Sequence, residues 1–259
     1  MDLGIAGRRA LVLGASRGLG RACALALARE GADLTIVARD PGRLAAAAAE
    51  LRAATGAAVA AVAGDLRTAA GREAALAACP APDILVTNAE GFPPGDFRDY
   101  ARADWIAALD DMMLGPIELV RRTLDGMIAR RFGRVVNVVS RSVKSPQGDL
   151  PLSNGARAGL VGFVAGLARQ VARHNVTINN LLPGIFASDA QRRHVQGLVA
   201  ATGRPFEDIW AERARGSPAR RYGDPDELGA ACAYLCSAQA GYVTGQSLLV
   251  DGGGYPGTL

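Results

Sequence analysis

Short apolar runs alternate along this chain with longer stretches whose apolar positions return every three or four residues. Residues 10–13 are apolar without interruption and end at Gly14, the pattern of a strand covered on both faces. An alanine-rich helical stretch follows over 19–30 and stops at Gly31, a residue that readily takes the left-handed conformation closing a helix. Residues 34–38 predict a second strand. Asp40 and Pro41 then read as the N-cap and first residue of a helix running to Gly56. The same reading predicts strands over 59–63, 84–87, 134–139, 177–182 and 246–250, and helices over 68–78 and 154–173. Residues 102–131 predict one or two long helices interrupted near Gly115-Pro116, and Asp224-Pro225 repeats the cap signal.

About seven strands alternating with helices predict an α/β fold. The expected form is a Rossmann-type, doubly wound parallel sheet with helices on both faces, in a single domain over residues 1–259. The polar, arginine-rich stretch 188–221 reads as a lid-like insertion, with Phe206, Ile209 and Trp210 as an apolar wall. In such sheets ligands bind beyond the carboxyl ends of the strands, where the strand order reverses.

Composition narrows the classes. With 49% hydrophobic residues the chain can bury a large core without disulfides. Cys23, Cys79, Cys232 and Cys236 follow no disulfide-framework or zinc-ligand spacing, so core packing and no metal are expected. Residues 1–9 lack the apolar stretch of a signal peptide, and no run is long enough to cross a bilayer. The expectation is a cytoplasmic protein with no membrane partner. The net charge of +4 is spread over scattered arginines and aromatics are only 5%, which argues against a nucleic-acid partner. A few arginines facing an anionic cofactor suit it better. His174 and His194 lack the neighbours of a nucleophilic constellation and are expected on the surface or the lid.

Gly14-Ala-Ser-Arg-Gly-Leu-Gly20 sits where the first strand turns into the first helix. Glycines there let the backbone approach a pyrophosphate, whose charge the helix N-terminus stabilises. Gly14, Ser16, Arg17, Gly18, Leu19 and Gly20 are therefore expected at a dinucleotide. An NAD site places a carboxylate at the end of the second strand; here stand Ala38 and Arg39. Arg17 and Arg39 can clamp a 2′-phosphate through charge-assisted hydrogen bonds, and Asp40 is turned aside by its cap role. The expected cofactor is NADP(H).

The spacing Gly14-x-x-x-Gly18-x-Gly20, with Asp65-Leu66, Asn88-Ala89, Ser140 and Pro183-Gly184, resembles the short-chain dehydrogenase/reductase family. Gly223-Asp-Pro-Asp-Glu-Leu and Thr244-Gly-Gln-Ser-Leu-Leu-Val-Asp-Gly-Gly253 are similar to its C-terminal signature. The 3-oxoacyl-[acyl-carrier-protein] reductase-like branch is the nearest in kind. The resemblance implies that Asp65 and Leu66 touch the adenine and Asn88 and Ala89 the adenosine ribose. Pro183, Gly184, Ile185 and Ser188 would face the nicotinamide end. It further implies a substrate that is a small molecule or carried on an acyl carrier, and a homo-oligomer, tetramer or dimer.

The resemblance stops at the chemistry. Family members carry Tyr-x-x-x-Lys where this chain has Ser153 and Arg157. Met112 occupies the position of the family's helix asparagine, Glu90 that of the glycine in Asn-Ala-Gly, and Leu13 that of a threonine. The nearest tyrosines, Tyr100 and Tyr222, do not lie on a helix following Ser140.

A serine hydroxyl is far less acidic than a phenol, which titrates near ~10, and an arginine keeps its charge where a lysine can relay a proton. Arg157 is still expected to hold the nicotinamide ribose and stabilise an oxyanion. Replacement proton sources are Lys144, Asp149, or a water positioned by Ser140 and Ser153; an iminium or activated enone would need no enzyme acid. Ser140, Ser153, Arg157 and Lys144 are the catalytic candidates. Three function classes follow: an atypical NADP(H)-dependent oxidoreductase, a cofactor-binding protein without turnover, and a non-redox enzyme using the same pocket. Finally, Gly155, Gly159, Gly162 and Gly166 share a helical face, which predicts close backbone packing on the sheet or a partner helix.

Overall fold

The computed structural model describes residues 2–258. Its strands are β1 (Arg9–Leu13), β2 (Asp33–Ala38), β3 (Val59–Ala63), β4 (Ile84–Asn88), β5 (Gly133–Val138), β6 (Val176–Pro183) and β7 (Ser247–Val250). They form one parallel sheet in the order β3-β2-β1-β4-β5-β6-β7. Helices α1 (Gly18–Arg29), α2 (Pro41–Thr55) and α9 (Pro225–Cys236) cover one face; α3 (Ala69–Ala78), α5 (Gly115–Ala129) and α6 (Pro151–Val171) cover the other. Successive strand residues point to opposite faces, so Ala10 and Val12 enter the first core and Leu11 and Leu13 the second. Cys23, Cys232 and Cys236 are buried between α1 and α9.

The expected caps form. The Asp40 carboxylate accepts from the Arg43 amide at 3.0 Å, and Gly31 takes φ +79° after α1. Asp224 and Glu227 complete a capping box on α9. Two boundaries differ from the sequence reading. The helix expected from 154 begins at Pro151, which is tolerated in a first turn because its missing N–H has no partner there anyway; Ser153 therefore lies inside α6. The interruption expected near Gly115-Pro116 is a π-helical turn, Asp110–Leu114, between α4 (Arg102–Leu109) and α5. The Gly115 amide reaches back five residues to the Asp110 carbonyl, and this wider turn makes room for the Pro116 ring without ending the helix.

The stretch 188–221 folds as a helical pair, α7 (Asp189–Thr202) and α8 (Phe206–Gly216). Its aromatics stack on one another and on the segment that follows. Trp210 stacks on Phe206 at 5.5 Å and on Tyr222 at 4.0 Å, Ile209 is buried, and the Tyr222 hydroxyl donates to the Trp210 carbonyl. The pile fastens α8 to the segment leading into α9. Among the described residues no helix is long and apolar enough to cross a membrane.

Candidate functional site

The strand order reverses at β1, flanked by β2 and β4, so the loops after β1 and β4 diverge and leave a crevice. Gly14 turns the chain there with φ +62°, and Gly18 opens α1 with φ +56°. A Cβ on Gly20 would lie 2.3 Å from the Gly14 carbonyl oxygen, and one on Gly14 would lie 2.6 Å from Asn88 Nδ2. Only glycine permits this crossing of backbones. Asn88 Nδ2 donates to the Gly14 oxygen at 3.4 Å, tying the two loops together.

The crevice opens into a cleft of about 660 Å³. Of the residues expected at a dinucleotide, Gly14, Ser16, Arg17, Gly18, Leu19, Arg39, Asp65, Leu66, Asn88, Ala89, Arg157, Pro183 and Ser188 line it. Gly20, Gly184 and Ile185 do not. Gly20 packs beneath the loop; Gly184 is pressed against Asp251, where a Cβ would come within 2.7 Å of Cα. The Ile185 carbonyl accepts from the Gly223 amide at 2.9 Å, and Ser188 caps α7 by accepting from the Gln191 amide.

One end of the cleft gathers guanidiniums. Arg17, Arg39 and Arg193 each donate from a terminal nitrogen to the Glu90 carboxylate, at 3.0, 2.7 and 2.6 Å. Asp189 stands 3.9 Å from Arg17. The Asp65 carboxylate is committed to Arg67, which holds its pKa below the usual carboxylate range.

Arg157 is buried at the cleft wall, and four of its five N–H donors are spent on the protein. Nη1 donates to the carbonyls of Val138 (3.2 Å) and Val139 (3.1 Å), Nη2 to that of Ala89 (3.0 Å), and Nε to the Ser153 hydroxyl (3.1 Å). Burial lowers its pKa to about 10, with Asp111 acting in the opposite direction, so it stays a cation at neutral pH. Its guanidinium clamps the ends of β4 and β5 to α6 while lining the cleft.

The other catalytic candidates do not line the cleft. Ser140 Oγ accepts from the Ser142 amide at 3.1 Å, and Ser153 is buried. Both hydroxyls use acceptor capacity in these bonds, so each O–H can still donate. Lys144 is half-buried with Nζ 5.8 Å from the Tyr255 ring centroid, and Asp149 is exposed. His194 is half-buried on α7, its pKa lowered chiefly by burial and then by Arg213, with Asp149 opposing. Gly155 and Gly159 pack within the chain, against Trp105 and Met113, whereas Gly162 and Gly166 face open space.

Sequence reasoning missed Glu90 as the centre of the cation cluster, and it missed Asp111. The π-helical turn carries Asp111 into the cleft and buries Met112 against Ala108, Leu152 and Ala156. Burial raises the Asp111 carboxyl pKa, while Arg157, Arg67 and Arg39 oppose the rise. An acidic pair immediately before the buried Met112, ahead of a helical Gly-Pro, was the available signal.

Residues 14–254 match a family described as enoyl-(acyl carrier protein) reductase. The chain is 30% identical to the NADPH-dependent reductase BacG of Bacillus subtilis, over 95% of this chain and 97% of that protein. It is 33% identical to the 3-oxoacyl-[acyl-carrier-protein] reductase FabG of Vibrio harveyi, over 98% and 99% of the two chains. Among solved structures, L-sorbose reductase from Gluconobacter frateurii, complexed with NADPH and L-sorbose, superposes with a TM-score of 0.94 at 31% identity and full coverage of both chains.

Proposed function

Because the chain belongs to the short-chain dehydrogenase/reductase family, we propose that it is an NADPH-dependent reductase working without that family's tyrosine–lysine pair. The observation that carries the reading is the cation cluster. Arg17 and Arg39 converge on the Glu90 carboxylate, and Arg39 follows β2 directly, where an NAD site would have a carboxylate and this chain ends the strand with Ala38. That donor set fits a 2′-phosphate. BacG is NADPH-dependent and L-sorbose reductase is complexed with NADPH, which supports the same cofactor here.

Gly14, Ser16, Gly18 and Leu19 would hold the pyrophosphate over the start of α1, Asn88 and Ala89 the adenosine ribose, and Pro183 and Ser188 the nicotinamide end. Bound there, the reduced nicotinamide supplies a hydride to an electrophilic carbon. The chain's own part is binding, orientation and hydrogen bonding. Ser153, with an acceptor lone pair occupied by Arg157 Nε, keeps its proton to donate as a hydrogen bond. It is too weak an acid to protonate an alkoxide as a phenol does. No strong enzyme acid is in place, so the alkoxide takes its proton from bulk solvent without general acid assistance, or the substrate is an electrophile such as an iminium or enone that needs none from the enzyme. A small molecule or an acyl-carrier-bound group is the proposed substrate class, and a cytoplasmic dimer or tetramer the proposed form.

A second reading, cofactor binding without turnover, is favoured by one observation: Arg157 spends four of its five N–H donors on backbone carbonyls and Ser153. Titration with NADPH, followed by NADPH oxidation over a panel of ketones, imines and enones, separates the two. Turnover on any class supports the reductase. Tight binding with no turnover moves the protein to the second reading, and no binding overturns both.

A further inference from the structure

Glu90 draws together three elements distant in sequence. Arg17 comes from the loop after β1, Arg39 from the end of β2, and Arg193 from the second turn of α7, the first lid helix. Two of these guanidiniums are the ones the proposed function assigns to the 2′-phosphate, and the inference below rests on that reading. Each offers the carboxylate a terminal nitrogen within 3.0 Å. A phosphate on the same nitrogens would lie against the carboxylate, and like charges so close exclude one another. The Glu90 side chain is 42% exposed, so its carboxylate can rotate into water, and exposed ion pairs are weak enough to yield.

We propose that Glu90 is a specificity-determining residue: an internal anion that competes with the cofactor's 2′-phosphate for Arg17, Arg39 and Arg193. When the phosphate takes the guanidiniums, Arg193 follows it, and α7 passes from a protein anchor to a cofactor anchor. A dinucleotide without the phosphate cannot make this exchange. It leaves Glu90 on its arginines and the lid helix fastened to the turn after β4. Glu90 thus lowers affinity for the phosphorylated cofactor and holds the lid helix until that phosphate takes its arginines.

The test compares wild type with Glu90→Gln, which keeps size and polarity and removes the charge. Both are titrated at one ionic strength with NADPH, NADH and adenosine 2′,5′-bisphosphate, a fragment that carries the phosphate and no nicotinamide. The variant is expected to bind NADPH and the bisphosphate about three- to thirty-fold more tightly, as loss of up to three exposed ion pairs implies. Its NADH affinity should change by less than about two-fold. Amide exchange in α7 should be faster in the variant, with NADPH restoring protection. Unchanged or weaker NADPH binding by the variant, beside a wild type that binds NADPH, overturns the competition and leaves the cofactor assignment standing. NADPH binding by the variant alone supports the competition and removes the assignment for the native chain. Binding by neither overturns both.

Discussion

Arg157 Nε donates to the Ser153 hydroxyl at 3.1 Å, one helical turn back along α6. The two residues proposed to stand in place of the family's catalytic pair are thus bonded to each other, and the terminal nitrogens of the guanidinium are bonded to Val138, Val139 and Ala89. That makes Arg157 a structural clamp as much as a site residue. Truncation to methionine removes a buried charge but strands three carbonyls at the ends of β4 and β5. Arg157→Met is expected to cost about 2–4 kcal/mol, which for a chain of this size lowers the thermal midpoint by roughly 5–15 °C. Calorimetry of the folded variant checks it; an unchanged midpoint would show that the carbonyls find water instead.

Restoring the pair tests the chemistry. Ser153→Tyr with Arg157→Lys returns a phenol and a lysine to one face of α6, four residues apart. General acid catalysis contributes ~10²–10⁴-fold where it operates, and a rise of that order is expected in NADPH oxidation with an activated ketone. A folded double variant that binds NADPH and gains nothing would place the block at the buried Met112 or at the lid.

The strands, the Asp40-Pro41 cap and the glycine loop were legible because each is set by residues adjacent in sequence. Residues 10–13 are buried on both faces and so are uniformly apolar, and Gly14 and Gly20 announce a crossing of backbones. The Ser153–Arg157 contact lies within one helical spacing. The Glu90 cluster was not legible. Its arginines stand 73, 51 and 103 positions away, and only the folded sheet brings them to one carboxylate. Gly115-Pro116 suggested a break because proline removes an N–H, whereas a π-helical turn absorbs the mismatch and rotates Asp111 into the cleft.

The arginine pair carries a direct prediction about cofactor choice. Each charge-assisted bond to a phosphate is worth about 1.5–3 kcal/mol, less what competition with Glu90 removes. Arg17→Ala with Arg39→Ala should raise the NADPH dissociation constant by about 10–100-fold and that of NADH by much less. Equal losses for the two dinucleotides, read by fluorescence titration, would detach these residues from the 2′-phosphate.

Asp111 gives the protein a pH dependence of predictable sign. Burial raises its folded-state pKa, and the attraction of Arg157, Arg67 and Arg39 only partly offsets the rise. A carboxyl raised in this way contributes stability that is present below its unfolded pKa of about 4 and is lost as pH rises through the folded value. At neutral pH the ionised side chain is therefore a net cost, and Asp111→Asn, which cannot ionise, escapes it. The variant is expected to unfold at a higher urea concentration than wild type near pH 7, with the difference shrinking as pH falls toward about 4. A variant less stable than wild type near neutrality would mean that the pull of the buried Arg157 cation on Asp111 outweighs the penalty of burying the carboxylate. In that case the two side chains would be a stabilising ion pair across the cleft.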